Sequence, residues 1–240
     1  MLQDNLLRIE AGLAAAEREL ASLDAFRRVR WAIENLPGAH VLSSSFGMQS
    51  AVMLHLVTRV QADIPVIFID TGYHFEETYR FVDQLTERLH LNLQVFQPAV
   101  TAAWQEARHG KRWTKGVQGL DAYNDDNKLE PMRRALDQLD VGTWFSGVRR
   151  EQSAHRRSMS IVEGSRGRMK VHPIIDWTDR DVHTYLQAND LPYHPLRERG
   201  YTSIGDWHTT LTLAEAGDEE RTRFLGLKRE CGLHDKLYNL

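Results

Sequence analysis

Cysteine is nearly absent: Cys231 is the only one in 240 residues. A single thiol excludes an intramolecular disulfide and any metal site built from several thiolates. Surplus positive charge is absent as well. With 30 Lys and Arg against 33 Asp and Glu the formal net charge is −3, which argues against a general nucleic-acid binder, because affinity for a phosphate backbone needs a basic surplus that survives salt. No apolar run approaches the roughly 20 residues needed to cross a bilayer. Asp4 and Glu10 stand where a secretory signal would carry basic residues before an apolar stretch. The expectation is a soluble, cytoplasmic protein with neither membrane nor nucleic acid as partner, and one cysteine fits a reducing compartment. The 11 histidines include no HxxxH or HExxH spacing, so metal catalysis is not expected.

What is present suits one large α/β domain: 42% of residues are apolar and 26% charged. Helical spacing through residues 1–36, carried by Leu6, Leu13, Leu20 and Phe26 among others, predicts two helices that Pro37-Gly38 ends. Residues 40–43 read as a short buried strand, 43–50 as a polar loop and 50–60 as an apolar helix. The order then repeats, with a strand at 66–69, a loop at 70–74, a helix marked by Tyr79, Val82, Leu85 and Leu89, and an alternating strand at 91–96. Residues 109–127 have no clean period and predict an excursion from the sheet. Pro131 suits the first turn of a helix through Leu139, and residues 144–147 read as a fourth strand emptying into 149–153. Between 149 and 170 seven Lys or Arg face only Glu151 and Glu163, a local basic patch. Thr178 to Asp181 forms a near-capping box for another helix, and residues 218–229 predict a short charged helix before the cysteine. The division expected is an N-terminal helical segment (1–36), a nucleotide-binding α/β body (37–217) and a C-terminal tail (218–240), within one structural domain.

Strands alternating with helices imply a mostly parallel sheet with helices on both faces and ligands beyond the carboxyl ends of its strands. Three polar loops, 43–50, 70–74 and 147–153, therefore converge on one edge. The serine loop offers hydroxyls and backbone N–H groups at a helix N-terminus, which favours an anion, although serine-rich turns also occur simply as helix caps. It lacks the Gly-Lys-Ser/Thr ending of a Walker loop. Asp70-Thr71-Gly72 suits hydrogen bonds to a nucleotide and equally suits ordinary turn chemistry. Arg149 and Arg150 match phosphate or sulfate oxygens in bidentate geometry, and a solvated arginine face is the other reading.

The stretch Arg229-Glu230-Cys231-Gly232-Leu233-His234 unites these features. Together with Ser43-Ser44-Ser45-Phe46-Gly47, Asp70-Thr71-Gly72-Tyr73, Lys128-Leu129-Glu130-Pro131 and Gly147-Val148-Arg149-Arg150-Glu151-Gln152-Ser153, in that order, it closely resembles the phosphoadenylyl-sulfate (PAPS) reductases of assimilatory sulfate reduction. The resemblance runs from about residue 36 to the end. It implies a Rossmann-like fold of the adenine nucleotide alpha-hydrolase, or PP-loop, type, usually a homodimer, with a mobile C-terminal tail. The implied reaction is reduction of PAPS to sulfite and adenosine 3',5'-bisphosphate, in the pathway toward cysteine, with thioredoxin or glutaredoxin as external reductant and no bound cofactor. Cys231 is the implied nucleophile. Ser43, Ser44, Ser45, Gly47, Asp70, Thr71, Gly72, Lys128, Arg149 and Arg150 are the implied substrate contacts, with Arg221, Arg223 and His234 as further candidates near the thiol and the 149–170 span as the expected place of the 3'-phosphate.

Two departures sharpen the resemblance. Adenylyl-sulfate (APS) reductases of the wider family carry a [4Fe-4S] cluster on a Cys-Cys pair and a Cys-x-x-Cys, but Asn124 and Asp125 occupy the first region here and Asp206-Trp207-His208-Thr209 the second. Without thiolates no iron-sulfur cluster is expected. Related ATP pyrophosphatases read Ser-Gly-Gly-x-Asp-Ser where this chain has Ser45-Phe46-Gly47-Met48-Gln49-Ser50, so a loop that binds a nucleotide without splitting its α–β phosphate bond is expected. A cluster-free APS reductase and a non-catalytic adenine-nucleotide module stay open as alternatives.

Overall fold

The computed structural model describes residues 2–165, 167–228 and 232–233. Its elements run α1 (Leu2–Ala21), α2 (Ala25–Asn35), β1 (Ala39–Ser43), α3 (Ala51–Thr58), β2 (Pro65–Ile69), α4 (Glu76–Leu89), β3 (Asn92–Phe96), α5 (Ala102–His109), α6 (Gly116–Asn124), α7 (Glu130–Gln138), β4 (Val141–Phe145), β5 (Val162–Ser165), β6 (Arg168–Val171) and α8 (Asp179–Ala188), followed by short helical turns. Successive residues of a strand point to opposite faces, so a strand covered on both sides is apolar at every position. Leu42, Val66 and Phe145 enter one core, while their neighbours Val41, Ile67 and Trp144 enter the other. The first core is closed by Leu20, Val29, Leu54, Leu85 and Val182 from five helices. The second is closed by Met132, Ala135 and Leu136 of α7, at the 3–4-residue spacing of one helix face.

The sheet order is β3-β2-β1-β4-β6-β5. Every pairing is parallel except β5 with β6. The chain builds outward from β1 to β3, then crosses back to lay β4 on the other side of β1. The strand order therefore reverses between β1 and β4, and a crevice opens at their carboxyl ends. This is the mostly parallel sheet with helices on both faces that the alternating pattern predicts. Among the described residues no helix is long and apolar enough to cross a membrane.

Local capping accounts for several boundaries. Asp24 accepts from Arg27 N at 2.8 Å to start α2, and Thr178 and Asp181 form a full capping box at α8.

Two sequence expectations, the fourth strand and the helix at 218–229, need correction, and two stretches without a periodic pattern take shape in the fold. The fourth strand is Val141–Phe145, not 144–147, because its pairing with β1 begins at Ala39 opposite Val141. The region 109–127 is mostly helical: α6 runs through one wide π turn at Asp125–Leu129 straight into α7, and its inward face of Leu120 and Tyr123 packs on Tyr73 and Trp113. The basic stretch contains the β5–β6 hairpin, whose short, charge-interrupted strands have no apolar period; Lys170 is buried with its Nζ 4.3 Å from the Trp144 ring centroid. Over the described residues 218–228 the expected helix is two single turns, Glu219–Thr222 and Phe224–Gly226, and Arg229 lies outside the described residues. Left-handed φ values of 48° at Phe224 and 56° at Leu225 break the helical path.

Candidate active site

The turn after β1 is fixed from within. Ser44 N donates to Ile67 O at 3.0 Å, extending the β1–β2 ladder by one bond, and Ser44 Oγ accepts from Phe46 N at 3.1 Å. Phe46 adopts φ 47°, a conformation that suits glycine. Its fully buried ring packs edge-on against Phe68, with centroids 5.3 Å apart, so core packing holds a strained residue where related loops carry glycine. Ser43 Oγ accepts from Trp144 Nε1 at 2.6 Å and ties β1 to β4 across the point of reversal. Ser50 precedes α3 without capping it, and its Oγ is buried with no partner among the described residues.

This turn forms one wall of a cleft of about 1020 Å³. The turn after β4 adjoins it and lines the same cleft. There Arg149, only 4% exposed, donates from Nη2 to Asp179 Oδ1 at 2.6 Å and Gln49 Oε1 at 2.8 Å. Its Nη1 reaches Trp177 O at 3.2 Å. Burial pushes the Asp179 carboxyl up, but the bond from Arg149 and the charge of that guanidinium hold it below its ordinary value.

Lys128 sits on the π turn between α6 and α7, a local widening found frequently at functional sites. Its Nζ lies 2.6 Å from Asp206 Oδ2, with the two side chains 9% and 1% exposed. Thr71 Oγ1 donates to the other oxygen of Asp206 at 2.6 Å. Burial alone would raise the Asp206 carboxyl; the Lys128 ammonium, His74 and the hydrogen bonds from Lys128 and Thr71 hold it far below the usual carboxylate range. The rings of Tyr123 and Phe224 stand 5.5 and 5.0 Å from Lys128 Nζ. Beside them His208 stacks on Trp113 at 3.7 Å with planes 8° apart, and burial lowers its pKa to about 4.

The C-terminal segment reaches the same cleft. Thr210 bridges Arg223, and Leu211 N donates to Thr222 O at 2.9 Å. Arg223 then donates from Nη1 to Ile204 O at 2.8 Å and Ser203 Oγ at 3.2 Å. Leu233 lines the cleft and packs in the cluster of Ile67, Met132 and Trp144.

The structure thus brings together Ser43, Ser44, Ser45, Gly47, Thr71, Lys128, Arg149 and Arg223 as cleft-lining residues. Asp70 is engaged in its own loop, accepting from Tyr79 Oη at 2.7 Å, Gly72 N at 2.9 Å and Gln97 Nε2 at 2.7 Å. Gly72 supplies the positive φ of 74° that this turn requires. Arg150 donates from Nε to Met159 O at 3.0 Å. Arg221 is exposed on its helical turn. Cys231 and His234 lie outside the described residues. Sequence reasoning missed Gln49, Asp179 and Asp206 as cleft residues. Asp179 was legible only as a helix cap, and Asp206 only as the place of an absent cysteine.

Comparison with known proteins identifies the family. Residues 39–212 match the phosphoadenosine phosphosulfate reductase domain. The phosphoadenosine 5'-phosphosulfate reductase of Vibrio cholerae is 60% identical over 223 residues, 93% of this chain and 88% of that protein. The enzyme of the same description from Zymomonas mobilis is 60% identical over 226 residues, covering 94% and 93% of the two chains. The crystal structure of phosphoadenylyl-sulfate reductase from Candida auris, a phosphate complex, superposes with a TM-score of 0.73 at 28% identity over 83% of this chain and 96% of that one. Candida glabrata FMN adenylyltransferase, at 16% identity and a TM-score of 0.58 over 80% of this chain and 64% of that one, shares the fold.

Proposed function

This chain belongs to the phosphoadenosine phosphosulfate reductase family, and on that premise we propose that it reduces PAPS to sulfite and adenosine 3',5'-bisphosphate with thioredoxin, through an S-sulfocysteine on Cys231. One observation carries the reading: the cleft at the β1–β4 reversal is lined by the serine turn, Lys128, Arg149 and Arg223 together with Leu233, two residues beyond the only thiol.

The thiolate is the reactive form, and a free cysteine with a pKa of about 8.5 is only a few per cent ionised near neutrality. It meets a multiply anionic substrate. Two like charges about 4 Å apart repel by roughly 4 kcal/mol at an effective dielectric near 20, so the cleft cations offset the repulsion and favour the thiolate. The serine turn and the unpartnered Ser50 hydroxyl offer donors for phosphate or sulfate oxygens at the start of α3. Cys231 Sγ attacks the sulfonate sulfur, the sulfur–oxygen bond to the nucleotide breaks, and adenosine 3',5'-bisphosphate leaves with that electron pair. A thioredoxin thiolate next attacks Cys231 Sγ, and sulfite leaves with the electrons of the sulfur–sulfur bond. The second thioredoxin thiol resolves the mixed disulfide and restores Cys231. The dithiol supplies both electrons, so one enzyme cysteine suffices and no iron-sulfur cluster is used.

The tail closes over substrate for the first step and opens to the reductant for the second. A homodimer in the cytoplasm, with residues 218–240 as the catalytic arm of one structural domain, completes the reading. Its test is sulfite release from PAPS and from APS in the presence of thioredoxin, beside pyrophosphate release from ATP. Sulfite from PAPS and no pyrophosphate is the expected result; pyrophosphate alone, or no dependence on the dithiol, would overturn it.

A further inference from the structure

We propose that Asp206 is a positioning residue that holds the Lys128 ammonium in place for the reacting sulfonate, weakening nucleotide binding while it speeds turnover. The inference rests on the reductase reading above. Three observations support it.

First, Lys128 is a long, flexible cation whose head is confined on several sides. Asp206 Oδ2 lies 2.6 Å from Nζ, and the Tyr123 and Phe224 rings face it at 5.5 and 5.0 Å. An ammonium carries three donors, so it can hold Asp206 and still donate into the cleft that Lys128 lines.

Second, Asp206 is itself immobilised. Thr71 Oγ1 fixes Oδ1 at 2.6 Å. The backbone is pinned as well: Trp207 N donates to Tyr73 O at 2.9 Å, Thr209 N to Asp206 O at 3.1 Å and Thr210 Oγ1 to Asp206 O at 2.9 Å. The carboxylate therefore joins the turn after β2 to the π turn.

Third, the charges oppose a role in binding. A fully buried carboxylate beside the cleft offsets part of the Lys128 charge that an incoming anion meets, which weakens ground-state attraction. A group that weakens ground-state binding yet fixes a cation raises rate only through geometry in the transition state. Removing it should shift affinity and turnover in opposite directions, which loss of folding does not do.

The test uses the full-length enzyme. Asp206→Asn keeps the oxygen that accepts from Thr71 and removes the charge. Calorimetric titration with adenosine 3',5'-bisphosphate should show several-fold tighter affinity, while kcat for sulfite release falls about 10- to 100-fold. In a Lys128→Gln background the same substitution should alter kcat by less than about twofold, because Asp206 acts through Lys128. Parallel loss of bisphosphate affinity and kcat, or effects that multiply in the double variant, would overturn the assignment while wild-type sulfite release left the reductase reading intact. Absence of wild-type sulfite release would overturn the reading and the inference with it. If thermal melts show that Asp206→Asn does not fold, Thr71→Val, which frees one carboxylate oxygen, replaces it in the same cycle. A smaller fall in kcat that vanishes beside Lys128→Gln is then expected, and an unchanged kcat would sink the proposal.

Discussion

Arg149 and Asp179 form a charge-assisted pair, Nη2 to Oδ1 at 2.6 Å, that joins the turn after β4 to the first turn of α8. The arginine is almost wholly buried and the aspartate largely exposed, so the pair fixes the guanidinium from the solvent side. The cation is oriented before any ligand arrives, which lowers the ordering cost of binding.

The consequence for Arg149→Ala is a double loss. Substrate affinity should weaken, and stability should also fall by about 1–3 kcal/mol, because the change removes a buried side chain together with its bonds to Gln49, Trp177 and Asp179. A binding titration beside urea unfolding measures both. An unchanged unfolding midpoint would contradict the packing role.

Cys231→Ser should abolish sulfite formation and leave affinity for adenosine 3',5'-bisphosphate within about threefold, since the cleft cations remain and each tenfold needs about 1.4 kcal/mol. Wild-type enzyme given PAPS without thioredoxin should gain one sulfonate mass on the peptide that contains Cys231. Turnover by the serine variant, or an unmodified peptide, would remove the basis for the two-step scheme.

Gly205 leaves no room for a side chain. A Cβ there would overlap the Arg223 guanidinium, whose Cζ lies 2.5 Å from that point. Gly205→Ala should push Arg223 out of its bonds to Ser203 and Ile204, lowering kcat/KM by about tenfold, worth about 1.4 kcal/mol, with a smaller effect on the melting temperature. Steady-state kinetics in parallel with a melt decide the point.

Acid should destabilise the fold in a defined window. Burial lowers His208 to about 4 and His194 to about 4, whereas an unfolded histidine titrates near 6.5. Between these values the unfolded chain binds protons that the folded chain does not, so stability is full above about pH 6.5 and is lost as pH falls toward about 4. His208 faces Asp206 and Lys128 and stacks on Trp113. His208→Phe should keep the stack and reduce the drop in urea midpoint between about pH 7 and about pH 5. An unchanged drop would assign the effect to other groups.

Legibility followed periodicity. Strands β1 to β3 and helices α2, α3, α4 and α8 were readable because each is a short apolar or amphipathic segment bounded by caps or turn residues. The β5–β6 hairpin was not, since Glu163, Arg168 and Lys170 interrupt both strands and only pairing beside β4 stabilises them. In the site, the serine turn and Arg149 were visible from chain order, and Lys128 only through its place in the family motif Lys128-Leu129-Glu130-Pro131.

The sequence by itself determined the alternating α/β plan, the solitary thiol and the convergence of polar loops, because all three depend on composition and local order. Tertiary structure alone decided which charges meet. Asp179 is 30 residues from Arg149 in sequence and Asp206 is 78 from Lys128, and only the folded chain brings each carboxylate within 2.6 Å of its cation. Pairing across such distances requires the sheet reversal between β1 and β4 and the return of the C-terminal segment over it, which no local pattern encodes.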